Sequence, residues 1–174
     1  MALIPGNMLS EDAQSIETSI AGWDAWHPGS SAVDRVSTFA HDGTWSLRVT
    51  SNGTADLLCG RDRAGFFVFP NQSYTFTAWV YTTLSGHTLG TYANFWRSNG
   101  TTFTEAMNET PVAVSPNTWT QLSSTYTPTD PTTALSDIYI TITTTPISGD
   151  FFYADEIFFG VTGPRYTFRN SSTT

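Results

Sequence analysis

Phe151-Phe152-Tyr153-Ala154-Asp155-Glu156-Ile157-Phe158-Phe159, near the C-terminal end of a 174-residue chain, decides the fold class. Seven of these nine residues are apolar, five of them aromatic, and two adjacent carboxylates interrupt the run. No Pro or Gly breaks it, and it is too short to span a membrane. It predicts a strand buried deep in a β-structure. Successive strand residues point to opposite faces, so only one of Asp155 and Glu156 can look inward. Burying that carboxylate uncompensated costs several kcal/mol, so it needs a partner. A cation shared with a second carboxylate would meet the cost, and Glu17 in Ser15-Ile16-Glu17-Thr18 is the candidate.

The sequence upstream of this run has the same character. Ser73 to Thr82 alternates, with Tyr74, Phe76, Ala78 and Val80 on one face and Thr75, Thr77, Trp79 and Tyr81 on the other. Thr88 to Arg97 alternates too and sets Tyr92, Asn94 and Trp96 on one side. Asp137 to Thr145 turns Ile138, Ile140 and Ile142 inward and Tyr139, Thr141 and Thr143 outward. Shorter strands are expected at Ala32–Thr38, Trp45–Thr50, Gly65–Phe69, Thr101–Ala106, Thr110–Val114 and Trp119–Thr127. His41-Asp42-Gly43, Pro70-Asn71-Gln72 and Ser98-Asn99-Gly100 supply turn chemistry between strands. The best helical window, Ser10 to Thr18, is short. Roughly ten strands spaced about 8–14 residues apart predict an all-β, antiparallel β-sandwich. Residues 1–160 form one domain in this reading, and 161–174 form a polar C-terminal extension, loose or held by a partner.

Composition narrows the function. Asp+Glu outnumber Lys+Arg by 15 to 7, for a net charge of -8, and all seven basic residues are Arg. A nucleic-acid surface needs clustered positive charge, so that class is excluded. Charged residues are 13% of the chain, well below the ~25% of ordinary domains, while Thr occurs 30 times. The single cysteine, Cys59, cannot form an internal disulfide and reads as a small buried hydrophobe. Met1 to Asn7 has neither a basic n-region nor a long apolar core, so no signal peptide is expected and no membrane insertion.

Five segments carry a family resemblance. Asn7-Met8-Leu9 with Ile16-Glu17-Thr18 and Gly22-Trp23 resembles the opening of carbohydrate-binding modules of the CBM4/9/22 type. Gly43-Thr44-Trp45-Ser46-Leu47-Arg48-Val49 is similar to their second signature. Tyr74 to Val80, Trp119 to Ser123 and Tyr153 to Ile157 follow in the family's order, so the resemblance runs from about Asn7 to Gly160. It implies a jelly roll with a structural calcium ion near the chain ends, held by side-chain oxygens of Glu17 and Asp155 and backbone oxygens near Asn7 and Thr44. Calcium takes six to eight hard oxygens, which suits such a set. Hydrogen bonding of Asp155 to backbone amides at a strand end is the alternative. The resemblance also implies glycan binding on outward aromatics flanked by polar side chains, for which Trp79, Tyr92, Asn94, Trp96, Gln121 and Tyr139 are the candidates. Packing of the same aromatics beneath loops or against a partner chain is the competing role.

Catalytic chemistry finds no support. A glycosidase needs two carboxylates about 5–10 Å apart across a cleft; Glu105 and Glu109 sit beside a turn without a motif. His27, His41 and His87 lack zinc-type spacing, and no GxSxG, P-loop or GxGxxG occurs. The N-x-S/T sequons at Asn52, Asn71, Asn99, Asn108 and Asn170 are expected by chance in so Thr-rich a chain. The expected function is therefore a non-catalytic surface protein of a bacteriophage virion, a capsid decoration or minor tail protein displaying a jelly roll. Leu3-Ile4-Pro5-Gly6-Asn7 resembles the start of such phage proteins. The partners expected are other virion proteins, a host cell-surface glycan and further copies of the chain in a homo-oligomer. A glycan-binding module of a secreted polysaccharide hydrolase is the alternative.

Overall fold

The computed structural model describes residues 6–20, 22–25, 31–53 and 58–162. Its strands are β1 (Asp24–Ala25), β2 (Ser31–Val36), β3 (Ser46–Ser51), β4 (Leu58–Phe67), β5 (Tyr74–Tyr81), β6 (Thr88–Arg97), β7 (Phe103–Met107), β8 (Val112–Ala113), β9 (Thr120–Tyr126), β10 (Thr133–Ile142) and β11 (Phe151–Val161). One sheet runs β1-β4-β10-β6-β7, with β8 also paired to β6, and the other runs β2-β3-β11-β5-β9. Every pairing among these strands is antiparallel. The two sheets pack as a jelly-roll β-sandwich.

Alternation explains the packing. Tyr74, Phe76, Ala78 and Val80 of β5 are buried, as are Ile138, Ile140 and Ile142 of β10 and Phe152, Ala154 and Phe159 of β11. Together with Leu89, Ala93 and Phe95 of β6 they form the shared core between the sheets. Phe159 takes Phe66 and Phe76 edge-on at 5.5 and 6.0 Å between centroids. Edge-to-face rings add to the gain from area burial. Cys59 is buried in the same core, and burial pushes its thiol pKa well up, so it behaves as an inert hydrophobe.

Several elements depart from their expected bounds, for local reasons. β4 begins at Leu58 although Gly60 and charged residues give that segment no strand pattern; pairing with β10 supplies the register. β10 begins four residues before Asp137 and carries register shifts at Thr133/Leu135 and Ser136/Ile138, which hide its alternation. A five-residue helix, α1 (Glu11–Ser15), is capped by Ser10, whose hydroxyl accepts from the Ala13 N–H at 3.3 Å. It packs on β11, which runs one residue past the expected boundary at 160. The N-terminal segment lies along the same strand: Asn7 bridges Gly160, and the Met8 N–H donates to the Phe159 carbonyl at 2.7 Å. Among the described residues, no helix is long and apolar enough to cross a membrane. Met1 to Pro5, His27, Asn170 and most of the expected 161–174 extension lie outside the described residues.

Candidate functional site

The outward face of the six-stranded sheet gathers four of the six predicted glycan residues. Tyr92, Asn94 and Trp96 follow one another on β6, and Tyr139 lies opposite Tyr92 on β10. The Tyr92 and Tyr139 rings are 5.9 Å apart between centroids. Tyr139 lies over Gly60 of β4, where a Cβ would collide with its ring and with the Ile138 carbonyl, so only glycine leaves the ring its seat. The Tyr92 hydroxyl donates to the Asn94 side-chain oxygen at 2.5 Å.

A fifth residue, Asp137, stands at the centre of this face. It is opposite Asn94 and wholly buried. Its Oδ2 accepts from the Trp96 indole N–H at 2.9 Å and its Oδ1 from the Asn94 backbone N–H at 3.1 Å. The Tyr139 phenol and the Asn94 side chain lie beside the same carboxylate. Burial holds the Asp137 carboxyl above the ordinary carboxylate range, and the polar groups of Tyr139, Trp96 and Asn94 around it pull in the other direction. Burial first, and then the charges of Asp137 and Glu109, raise the Tyr92 phenol. Glu109 reaches this face by packing over Gly90.

Next to the polar cluster runs an apolar row that the sequence reading missed. Phe67 of β4, Leu135 of β10, Trp96 of β6 and Phe103 of β7 are aligned by strand register. Four adjacent strands at the usual spacing make this row about 14 Å long. Phe67 and Phe103 are 68% and 50% exposed, and Trp96 is half-buried with Phe103 edge-on at 5.7 Å. The part-exposed Tyr92 and Trp96 and the exposed Phe67 and Phe103 offer aromatic surface for sugar rings, over a buried layer of Tyr139, Asn94 and Asp137. Asp137 could have been found from sequence, because it shares the parity of Tyr139 in the isoleucine alternation. The row could not, since its register depends on the bulges of β10.

Trp79 and Gln121 lie elsewhere, so the predicted set is not one surface. They pair with each other on the outward face of the five-stranded sheet. The loop between β2 and β3 covers Trp79: His41 stacks on it at 4.0 Å, and Trp119 meets His41 edge-on at 5.4 Å. Phe39 of the same loop stacks on Tyr81 at 4.7 Å and meets Tyr153 at 5.4 Å. This is a satellite hydrophobic cluster beneath a loop.

The residues predicted to hold calcium grip that loop too. Asp155 is buried as expected, but it sits opposite Trp79 on the outward face. Its Oδ2 accepts from the N–H groups of His41 (2.8 Å) and Asp42 (3.1 Å), and its Oδ1 from the Glu156 N–H at 2.7 Å. Burial pushes the carboxyl up to about 6, against the opposing pull of these amides. Glu156, at φ 45°, forms the bulge that turns Asp155 under the loop, and its carboxylate pairs with His41. Glu17 holds the other end of the loop, its Oε1 accepting from the N–H groups of Thr44 (2.9 Å) and Trp45 (3.0 Å). Gly43, at φ 70°, leaves room for that carboxylate, which a Cβ would strike. The Asn7 side chain is spent on the Phe159 and Leu9 N–H groups, the Ile157 carbonyl and Gln14. Among the described residues, no three His, Cys, Asp or Glu gather as a metal site. Amide donors take both oxygens of Asp155 and Oε1 of Glu17, so this donor set does not fit calcium as it is arranged.

Glu105 is a loop anchor, accepting from the Tyr126 hydroxyl (2.9 Å) and the N–H groups of Thr129 (2.8 Å) and Asp130 (2.7 Å). His87 bonds Thr144 at 2.9 Å and lies 3.6 Å from the Asp150 carboxylate.

Solved structures share this fold. The CBM22-1 xylan-binding domain of Paenibacillus barcinonensis Xyn10C matches with a TM-score of 0.68 at 20% identity, over 92% of this chain and 97% of that one. The CBM22-1–GH10 modules of Clostridium thermocellum Xyn10B, complexed with xylohexaose, match with a TM-score of 0.71 at 18% identity, over 91% of this chain and 29% of that one. The enzymatically active domain of bacteriophage CBA120 tailspike protein 4 matches with a TM-score of 0.63 at 13% identity, over 90% and 21%. No curated protein matches the chain. The CBM4/9 carbohydrate binding domain family matches residues 11–147. That span covers most of the chain, with every strand except β11 and the face built on Asp137, and the chain belongs to the CBM4/9 family of carbohydrate binding domains.

Proposed function

We propose that the chain is a non-catalytic glycan-binding module whose binding surface is the outward face of the six-stranded sheet. The observation that carries this is the meeting, on one face, of the part-exposed Tyr92 and Trp96 with the exposed Phe67 and Phe103, over a buried layer of Asn94, Asp137 and Tyr139. Neutral polysaccharides fit best, because Asp137 and Glu109 make the local field negative. Xylan, named for one structurally similar module, with xylohexaose in complex with another, is the first polymer to try.

The setting we favour is the surface of a bacteriophage virion, alongside other capsid or tail proteins and further copies of the chain. The Lys-free, Thr-rich, acidic composition supports it. A module of a secreted polysaccharide hydrolase is the second reading; the same fold occurs in xylanase modules and in a phage tailspike, and so suits both.

The test is isothermal titration with neutral hexasaccharides (xylohexaose, cellohexaose and laminarihexaose), using wild type, Trp96→Ala and Trp79→Ala. Trp96→Ala should lose at least tenfold in affinity while Trp79→Ala, corrected for folding, retains it. The reverse pattern, or no binding by wild type, would overturn the assignment.

A further inference from the structure

Hydrogen bonds from two neighbouring residues on the outward face of the six-stranded sheet converge on one carboxylate that solvent does not reach. Asp137 is wholly buried, yet it lies on the side of the sheet away from the core. Trp96 donates its indole N–H to Oδ2 and Asn94 donates its backbone N–H to Oδ1, with the buried Tyr139 phenol and the Asn94 side chain beside the same group. Tyr92 joins through one intermediary, donating its hydroxyl to Asn94. Trp96 and Asn94 are therefore tied to Asp137 directly and Tyr92 through one neighbour, and the Tyr139 phenol is packed beside them.

A buried carboxylate is costly to keep, and an apolar side chain of similar size would fill the space without that cost. What the carboxylate supplies is acceptor capacity: two oxygens can take several donors at fixed angles, which a neutral side chain cannot do. Stacking on a sugar requires an indole and a phenol held in fixed planes before the ligand arrives. Each rotamer-rich side chain ordered in advance spares the complex an ordering cost.

We infer that Asp137 is a positioning residue of the glycan site: it touches no sugar itself but locks Trp96, Tyr139 and Asn94, and through Asn94 Tyr92, into the geometry that binds. The inference rests on the glycan-binding reading of this face. It assigns the affinity to preorganisation by one buried group in addition to the exposed aromatics.

The experiment uses the full chain labelled with nitrogen-15. The Trp96 indole N–H resonance, assigned by its loss in Trp96→Phe, should exchange slowly with solvent in wild type. In Asp137→Asn it should shift and exchange fast, because the amide group puts a donor among donors. The Trp23 indole N–H, bonded to the Ala13 carbonyl at 2.9 Å, is the internal control and should not move. Titration with the same hexasaccharides should show about a tenfold loss for Asp137→Asn. Trp96→Phe keeps a stacking ring but lacks the tether, and should lose severalfold. In the double variant the two losses should not add, since both break one link.

An unmoved Trp96 indole N–H, full affinity in Asp137→Asn or Trp96→Phe, or strictly additive losses would overturn the inference alone, with glycan binding intact. A wild-type chain that binds none of the hexasaccharides would overturn the glycan-binding reading and the inference with it.

Discussion

His41 lies flat on Trp79, the ring centroids 4.0 Å and the planes 13° apart. The loop that carries His41 is fastened on both sides of the contact, by Asp155 at His41 and Asp42 and by Glu17 at Thr44 and Trp45. Trp79 is thus covered by its own chain, and the stack belongs to stability. Trp79→Ala should cost about 3 kcal/mol, the lower end for loss of a packed aromatic. Urea denaturation should report that loss, and a cost below about 0.5 kcal/mol would show that the loop does not rest on the indole.

Asp155 makes the same loop sensitive to pH. Its folded-state pKa of about 6 lies above the ordinary 3.8, so the folded protein holds more protons than the unfolded chain between those values. The contribution of a group raised in this way is fully present below about pH 4 and is lost as pH rises through about 6. The stability of wild type relative to Asp155→Asn should therefore increase as pH falls from 7 to about 4.5. Asp12 and Asp130 act in the opposite sense, held low by hydrogen bonds from Ser19 and Thr132, but their loss comes at lower pH. Thermal melts of both proteins across that range check this, and a constant difference would refute it.

The fold was legible in the sequence because its longest strands alternate without interruption. Tyr74 to Tyr81 and Thr88 to Arg97 fell into place almost residue for residue, and Ile138, Ile140 and Ile142 turned inward as their parity required. Half of the candidate site was legible for the same reason, since parity along β6 and β10 puts Tyr92, Asn94, Trp96 and Tyr139 on one side. Parity does not say which sheet a strand joins, and so Trp79 and Gln121 were grouped with residues on the opposite side of the sandwich. Bulges defeat it altogether. The one at Glu156 keeps both Asp155 and Glu156 out of the core and turns Ile157 and Phe159 inward, and shifts in β10 and between β6 and β7 bring Phe67 and Phe103 into line with Trp96.

Calcium gives a direct test of the loop chemistry. Three amide N–H groups converge on Asp155 and two on Glu17, with their positive ends where a cation would have to sit. An ion bound at the same lone pairs would displace them, leaving buried amides unpaired at about 1–3 kcal/mol each. Melting temperatures in millimolar calcium and in excess EDTA should therefore agree within a degree. A rise of several degrees with calcium would mean that the ion replaces the amides and that the loop has a second, metal-bound arrangement.

Gly60 separates the binding face from the core beneath it. A methyl group there would strike the Tyr139 ring and come within 2.9 Å of the Ile138 carbonyl. The carbonyl belongs to the ladder between β4 and β10 and has little freedom, whereas the ring can swing outward at the expense of its packing beside Asp137. Gly60→Ala should thus remain folded, with a loss of about 1–3 kcal/mol from overpacking. Its glycan affinity should fall tenfold or more, because the displaced phenol breaks both the pairing with Tyr92 and the tie to Asp137. Tyr139→Phe separates the two effects, since it keeps the ring over Gly60 and removes only the hydroxyl. It should bind more tightly than Gly60→Ala under conditions where both are folded. Equal affinity in Gly60→Ala and wild type would mean that the seat of Tyr139 does not matter to the ligand, and the binding surface would then have to lie along the exposed row of Phe67, Trp96 and Phe103.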